Sequence, residues 1–354
     1  MRKQYIVSCS CLFFIITTSA LFNIFSTFLF KYTPIIYEEE IDQAFPDRTS
    51  FQKTFYYKPA GNNNRSSLLG SDLSSIYSEE FVRAPIKSPL FDREICGNAS
   101  VYLFILIFSS PGHYNKRQAI RETWLSNVNK FTRYTFVTAY SKRFNESLGI
   151  EIQEKKDIVQ FDFIDTYKNL TYKTMSSFNW IIKVCPQASY VLKVDDDNWL
   201  NTKSLLETLK RGMVKSKVGG NCKSRGSPNR DPSNKYFIPE AMYREHMYPP
   251  YCSGPAYVLS TDVIIQILNI HKHVPFFPLE DIYVGLCLKK LNINVINICG
   301  FNNLRVYANP CWMKSKFIIS VHEMLPVELS KIWTTKCKGL YPLQKLKGLM
   351  HMYI

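Results

Sequence analysis

The stretch Val101-Tyr102-Leu103-Phe104-Ile105-Leu106-Ile107-Phe108 contains no charged side chain, and every residue in it is apolar or aromatic. A strand with one wet face alternates apolar and polar residues, so a continuous run of this length reads as a strand covered on both faces. Downstream, Pro111-Gly112 marks a turn and Lys116 to Leu125 has helical composition. Tyr134 to Ala139, Asp157 to Phe163 and Tyr190 to Val194 are further β-rich runs. Between the last two, Tyr167, Leu170, Thr174, Phe178, Ile181 and Ile182 recur at helical spacings, and Thr202 to Arg211 reads as another helix. Strand alternating with helix predicts an α/β fold built on parallel β-α-β units. Ligands in such sheets bind beyond the carboxyl ends of the strands, so the end of Tyr190-Val191-Leu192-Lys193-Val194 is where chemistry is expected.

Composition narrows the class. With 46% hydrophobic and 14% aromatic residues the chain can bury a core, which excludes disorder, and 14 Gly among 354 residues excludes a collagen-like chain. Lys and Arg number 44 against 29 Asp and Glu, a formal charge of +15, which favours anionic partners: nucleic acid, acidic membrane or a phosphate-bearing substrate. No basic–aromatic repeat supports nucleic acid as the partner.

Tyr5 to Phe30 carries no charge and is preceded by Arg2 and Lys3. As a helix it would reach about 39 Å, enough for a hydrocarbon core of about 30 Å. Thr18-Ser19-Ala20 offers a signal-cleavage site, but the apolar run continues well past it to Phe30. The predicted organisation is a cytoplasmic tail at 1–4, a transmembrane signal-anchor at 5–30, a stem at 31–95 and a lumenal domain at 96–354. Basic residues before the span and Glu38, Glu39 and Glu40 after it give a type II orientation with a single membrane span. Eight cysteines beyond the anchor, with no Cys-x-x-Cys among them, favour disulfides over a zinc site. Sequons at Asn64, Asn98, Asn145 and Asn169 fit the same compartment.

Three segments carry candidate chemistry. Asp195-Asp196-Asp197 ends the fourth β-run, and adjacent carboxylates there call for a cation or for hydrogen-bond donors. A metal bridging them to a diphosphate answers that need; an acidic turn capping the next helix is the plain alternative. Glu280-Asp281, after Pro275-Phe276-Phe277-Pro278, reads either as a general base in a partly dry pocket or as the acidic start of a helix. Tyr248-Pro249-Pro250-Tyr251-Cys252-Ser253-Gly254 offers flat rings for sugar or base stacking, or is a rigid loop pinned by a disulfide at Cys252. His322 follows a short apolar run and is either structural or a metal ligand.

In order, Arg117-Gln118-Ala119-Ile120-Arg121-Glu122-Thr123-Trp124, the segment Phe161 to Thr174, Lys193-Val194-Asp195-Asp196-Asp197, Tyr248 to Ser260 and Glu280-Asp281-Ile282-Tyr283-Val284-Gly285 resemble the successive motifs of glycosyltransferase family 31. That family holds β-1,3-galactosyltransferases and β-1,3-N-acetylglucosaminyltransferases. The resemblance implies a glycosyltransferase A-type fold, a Rossmann-like mixed sheet flanked by helices, behind a Golgi type II anchor. It implies inverting transfer from UDP-galactose, or a related UDP-sugar, to a glycan acceptor on a glycoprotein or glycolipid. By the same likeness Asp197 is the Mn2+ ligand, with His322 a second; Asp195 and Asp196 lie near the nucleotide, and Asp281 is the catalytic base. Arg117 and Arg121 either face the nucleotide or brace the sheet edge. Where the family commonly shows Cys-Ser-Gly-x-Gly-Tyr-Val, this chain has Cys252-Ser253-Gly254-Pro255-Ala256-Tyr257-Val258. An added methyl at 256 and a stiffened loop put donor choice in question, and leave an inactive, carbohydrate- or UDP-binding relative as the alternative.

Overall fold

The computed structural model describes residues 84–91, 95–306 and 309–337. The predicted tail and span, most of the predicted stem, Asn64, Cys9 and Cys11 lie outside them. Among the described residues, no helix is long and apolar enough to cross a membrane.

One mixed sheet dominates. Its strands are β1 (Pro89–Phe91), β2 (Leu103–Phe108), β3 (Thr132–Tyr140), β4 (Ile158–Ile164), β5 (Tyr190–Asp195), β7 (Val218–Lys223), β8 (Tyr251–Ser260) and β9 (Val295–Asn297). They lie in the order β1-β4-β3-β2-β5-β8-β7-β9. The pairs from β4 through β5 are parallel, whereas β8 runs antiparallel to both β5 and β7. A small second sheet joins β10 (Phe301–Asn302), β11 (Ser320–Val321) and β6 (Trp199–Leu200). Pro89–Phe91 falls in the segment read as stem, yet it pairs with β4, and Ala84 is buried in the same core.

Every side chain of β2 is buried, as its unbroken apolar run requires. Phe104, Leu106 and Phe108 enter one core, while Leu103, Ile105 and Ile107 enter the other. The first core is closed by α3 (Leu170–Val184), α5 (Thr261–Ile270) and α6 (Glu280–Leu291) through Phe178, Ile264 and Tyr283. The second is closed by α1 (Tyr114–Glu122), α2 (Asn145–Lys155), α4 (Thr202–Lys210) and α8 (Pro326–Thr334) through Ile120, Leu148, Leu205 and Leu329. The result is a three-layer α/β/α domain. A short helix α7 (Pro310–Met313) is capped by the Asn309 side chain.

Disulfides join Cys96 to Cys185, Cys222 to Cys252 and Cys311 to Cys337, while Cys287 is free and buried in α6. Of the three described sequon asparagines, Asn98 is exposed. Asn145 accepts from Gln160 at 2.9 Å, and Asn169 donates to the Ile164 carbonyl at 2.8 Å.

Candidate active site

From β2 the chain winds through β3 and β4 on one side, then crosses to β5 on the other. The strand order therefore reverses between β2 and β5, where a crevice opens at the carboxyl ends of an α/β sheet. Phe108 and Asp195 are paired at that end, and the Asp196 amide donates to the Phe108 carbonyl at 3.0 Å. The acidic triplet thus stands at the switch point.

Two backbone devices bring His322 to it. β11 pairs antiparallel with β6, and the Met324 amide donates to the Asp197 carbonyl at 2.8 Å. His322 Nε2 then lies 3.1 Å from Asp197 Oδ1. One ligand atom each from Asp195, Asp197 and His322 falls within 4.8 Å of the others. Burial, the largest single influence, would raise the Asp197 carboxyl and lower the His322 imidazole. Their mutual hydrogen bond and charge attraction, with neighbouring charges, together outweigh it, holding Asp197 at about 2 and His322 above its ordinary value. Two carboxylate oxygens and an imidazole nitrogen form a donor set suited to a divalent cation such as Mn2+. Asp196 stands apart: it is buried, bonds His113 Nδ1 at 2.8 Å, and lies 3.6 Å from Lys116 Nζ. Lys116 is also 3.6 Å from Asp197.

The second acidic pair occupies the first turn of α6 rather than its N-cap, which is Leu279. Carboxylates are favourable at that end of the helix dipole. Asp281 Oδ2 accepts the Gly254 amide at 3.0 Å and Oδ1 accepts its neighbour's amide, from Ile282, at 2.9 Å. Burial raises the Asp281 carboxyl above its ordinary value, and those two amides only partly offset it. Glu280 is sealed in and accepts from Tyr257 at 2.7 Å and Thr174 at 3.0 Å. Burial pushes it to about 7 against the pull of Lys193. A Cβ on Gly254 would lie 3.1 Å from Glu280 Oε1 and 3.5 Å from Asp281 Oδ2, so the close approach here is to the acidic pair.

Lys193 was not singled out by sequence. Alternation in β5 puts it on the same face as Asp195, and its ammonium bonds both Asp195 and the Gly254 carbonyl. A lysine inside an otherwise apolar strand was the available signal, because a buried ammonium requires partners. His113 and Lys116, which lie beside Asp196, gave no comparable signal.

Arg117 and Arg121 turn away from the crevice. Arg117 is 0% exposed and donates to Glu151, Ser109 Oγ and the carbonyls of Ser110 and Pro111. Arg121 chelates Asp157 through two bonds of 2.8 Å and lies 4.8 Å above the Phe136 ring. Of the two roles open to the pair, these contacts are those of a brace between α1, α2 and the sheet. Tyr248 is buried against Tyr243 and Phe277, with ring centroids at 5.3 and 5.9 Å, so its faces are spent inside the protein. Tyr251 begins β8 and is half-buried beside Asp281; burial and that charge push its phenol up to about 12. Ala256 pairs with Val194 and packs in the core, and its methyl does not face the crevice.

Sequence comparison matches residues 115–299 to the galactosyltransferase family, a span from α1 to just past β9 that includes both acidic clusters but not His322. Human beta-1,3-galactosyltransferase 1 is 35% identical over 246 residues, covering 67% of this chain and 74% of the relative. Human beta-1,3-galactosyltransferase 2 is 32% identical over 317 residues, covering 84% of this chain and 74% of the relative. Among solved structures, the WbbM bifunctional glycosyltransferase shares a looser likeness, with a TM-score of 0.39 at 12% identity over 75% of this chain and 52% of its own. The family match at residues 115–299, with identity of 32–35% sustained over two thirds or more of the chain, makes this chain a glycosyltransferase of the galactosyltransferase family, glycosyltransferase family 31.

Proposed function

We propose that the protein transfers galactose, or a related N-acetylhexosamine, from a UDP-sugar to a glycan hydroxyl in β-1,3 linkage, with inversion at the anomeric carbon. The observation that carries this reading is the placement of Asp281. Its carboxylate accepts the Gly254 amide, and the Gly254 carbonyl accepts from Lys193, the lysine that also bonds Asp195 of the Asp195, Asp197 and His322 set.

In this reading Asp197 and His322, with Asp195, would hold Mn2+. When bound, the metal supplies positive charge that neutralises the departing diphosphate. Lys116, part-exposed beside Asp196 and Asp197, adds a cation on the nucleotide side, where Arg117 and Arg121 are already committed. Asp281 takes the proton of the acceptor hydroxyl, whose oxygen bonds the anomeric carbon as the bond to diphosphate breaks. Partial burial makes that carboxylate a stronger base than one in water, and the Gly254 and Ile282 amides fix its orientation.

A Golgi type II placement, with a single span at 5–30 and the catalytic domain lumenal, accords with the charge pattern of the N-terminus and with the disulfides among the described residues. The core position of Ala256 speaks against its methyl, one half of the Pro255-Ala256 departure, as a ground for reading the chain as an inactive relative.

The test is UDP release by the full chain in detergent from a panel of UDP-sugars, with and without Mn2+ and with mixed glycan acceptors. Asp281→Asn should lower transfer by about 10²- to 10⁴-fold while UDP binding persists. Near-normal transfer by that variant would place the base elsewhere. A wild-type chain that neither releases nor binds UDP would overturn the reading altogether.

A further inference from the structure

Tyr167 opens a short turn, Tyr167–Asn169, that leads directly into α3. Its ring is 46% exposed, although its spacing in the sequence placed it on the buried face of that helix. A second exposed ring stands against it: Tyr236, in the long loop between β7 and β8, at 6.2 Å between centroids and 64° between planes. Exposed aromatic pairs leave apolar area in water and call for an explanation when they border a reactive crevice.

Both rings are held. The loop bearing Tyr236 is tied by Arg230, which donates to the carbonyls of Ile238 at 2.8 Å and Tyr243 at 2.6 Å. Asn234 Oδ1 accepts the Tyr236 amide at 2.9 Å. The start of α3 is fastened to the acidic pair's own approach: Thr171 donates to the Phe277 carbonyl at 2.6 Å, and Thr174 to Glu280 at 3.0 Å. Tyr167 therefore stands one helical turn from a segment bonded to the Asp281 loop.

We infer that the Tyr167 ring, braced edge-on by Tyr236, is the platform on which a pyranose ring of the acceptor glycan stacks beside Asp281. The inference rests on the transferase reading above and goes further by assigning the acceptor side of the crevice. A pyranose offers an apolar C–H face rimmed by hydroxyls, and a tyrosine is its complement: a flat apolar ring with a polar tip. The Tyr167 phenol is raised, first by desolvation and also by the carboxylates of Asp281, Glu280 and Asp195, in keeping with the position that the Thr171 and Thr174 bonds give this segment. Lys235 lies over the Tyr236 ring, 4.7 Å from its centroid, and Tyr167 is 46% exposed. Tyrosine also loses little conformational entropy on binding, which suits a stacking subsite.

The test uses the full chain in detergent with Mn2+ and UDP. UDP affinity is measured by calorimetry, and binding of methyl β-galactoside and methyl β-N-acetylglucosaminide by saturation-transfer NMR. Wild type should bind UDP and receive transfer on the C–H face of one of the glycosides. Tyr167→Ala and Tyr236→Ala should weaken that glycoside about fivefold with UDP affinity unmoved, whereas Tyr167→Phe should match wild type. The platform is wrong if the wild type binds UDP yet neither glycoside, if Tyr167→Ala binds the glycoside as wild type does, or if Tyr167→Phe loses as much as Tyr167→Ala. Absence of UDP binding by the wild type would instead sink the transferase reading on which it rests.

Discussion

Lys193 Nζ lies 3.4 Å from Glu280 Oε1, with both side chains sealed from solvent. The same ammonium bonds Asp195 at the end of β5 and the Gly254 carbonyl, whose own amide holds Asp281. One buried cation thereby ties the end of β5, the proposed nucleotide side, to the helix that carries the proposed base. An arrangement of this kind fixes relative position at the reacting centre, where misplacement by about 1 Å can cost about 10²-fold in rate.

Lys193→Met should be among the most damaging single changes in the domain. It leaves Glu280 and Asp195 without their shared counter-charge, and breaking a buried pair from one side costs about 3–5 kcal/mol. For a domain of this size that is a fall of roughly 10 °C in Tm, readable by calorimetry on the metal-free protein. A melt within about 2 °C of wild type would show that the ammonium is not needed there.

Glu280 sets a pH dependence of defined sign. Its folded value of about 7 exceeds the ordinary value of 4.5. Between those limits the folded protein keeps a proton that the unfolded chain has released. The stability this group contributes is present below about pH 4.5 and is lost as pH rises to about 7, up to about 3 kcal/mol in all. His322, raised above its ordinary 6.5, adds a loss that starts as pH rises past about 6.5. Urea unfolding of metal-free protein from pH 4.5 to 7.5 should show this decline, and Glu280→Gln should flatten its lower part. Glu151, whose carboxyl is lowered by Arg117 and Arg121 despite burial, gives the opposite slope at acid pH, and Glu280→Gln should leave that limb intact. A variant with the wild-type slope throughout would assign the effect to another group.

Arg117 separates bracing from nucleotide binding. Its guanidinium spends all five N–H donors inside the protein, and lysine cannot reproduce that fork. Arg117→Lys should lower stability by about 3 kcal/mol while the folded fraction binds UDP with wild-type affinity. A tenfold loss of UDP affinity with an unchanged melt would return the residue to the nucleotide.

The parallel half of the sheet was legible because burial on both faces leaves one signal, an apolar run closed by turn residues, and Leu103–Phe108 and Tyr190–Asp195 both carry it. The acidic clusters were legible because adjacent carboxylates need an explanation. The antiparallel strand Tyr251–Ser260 was not, since Gly254-Pro255 within it are turn signals. There the ladder between β7 and β8 is irregular: Gly220 pairs with Tyr257 and Cys222 with Cys252, so Gly254 and Pro255 fall outside it. Freed of ladder duty, the Pro255 carbonyl accepts from Asn198 at 3.2 Å and Gly254 serves Lys193 and Asp281. The direction taken by Arg117 was equally hidden. A motif gives the spacing of long basic side chains, but their partners come from distant segments such as Glu151.

That irregular ladder also decides the meaning of Ala256, the residue at which the chain departs from the common family pattern. It is 5% exposed and lies opposite Val194, so its methyl fills core and a glycine there would empty it. Loss of one buried carbon costs about 0.8 kcal/mol, and glycine in a strand adds about 0.5–1 kcal/mol of backbone entropy. Ala256→Gly should therefore lower stability by about 1–2 kcal/mol and leave donor preference across the UDP-sugar panel unchanged. If the substitution instead switched the preferred donor with no loss of stability, position 256 would touch the sugar, and the wall of the donor pocket would have to include β8 at Ala256.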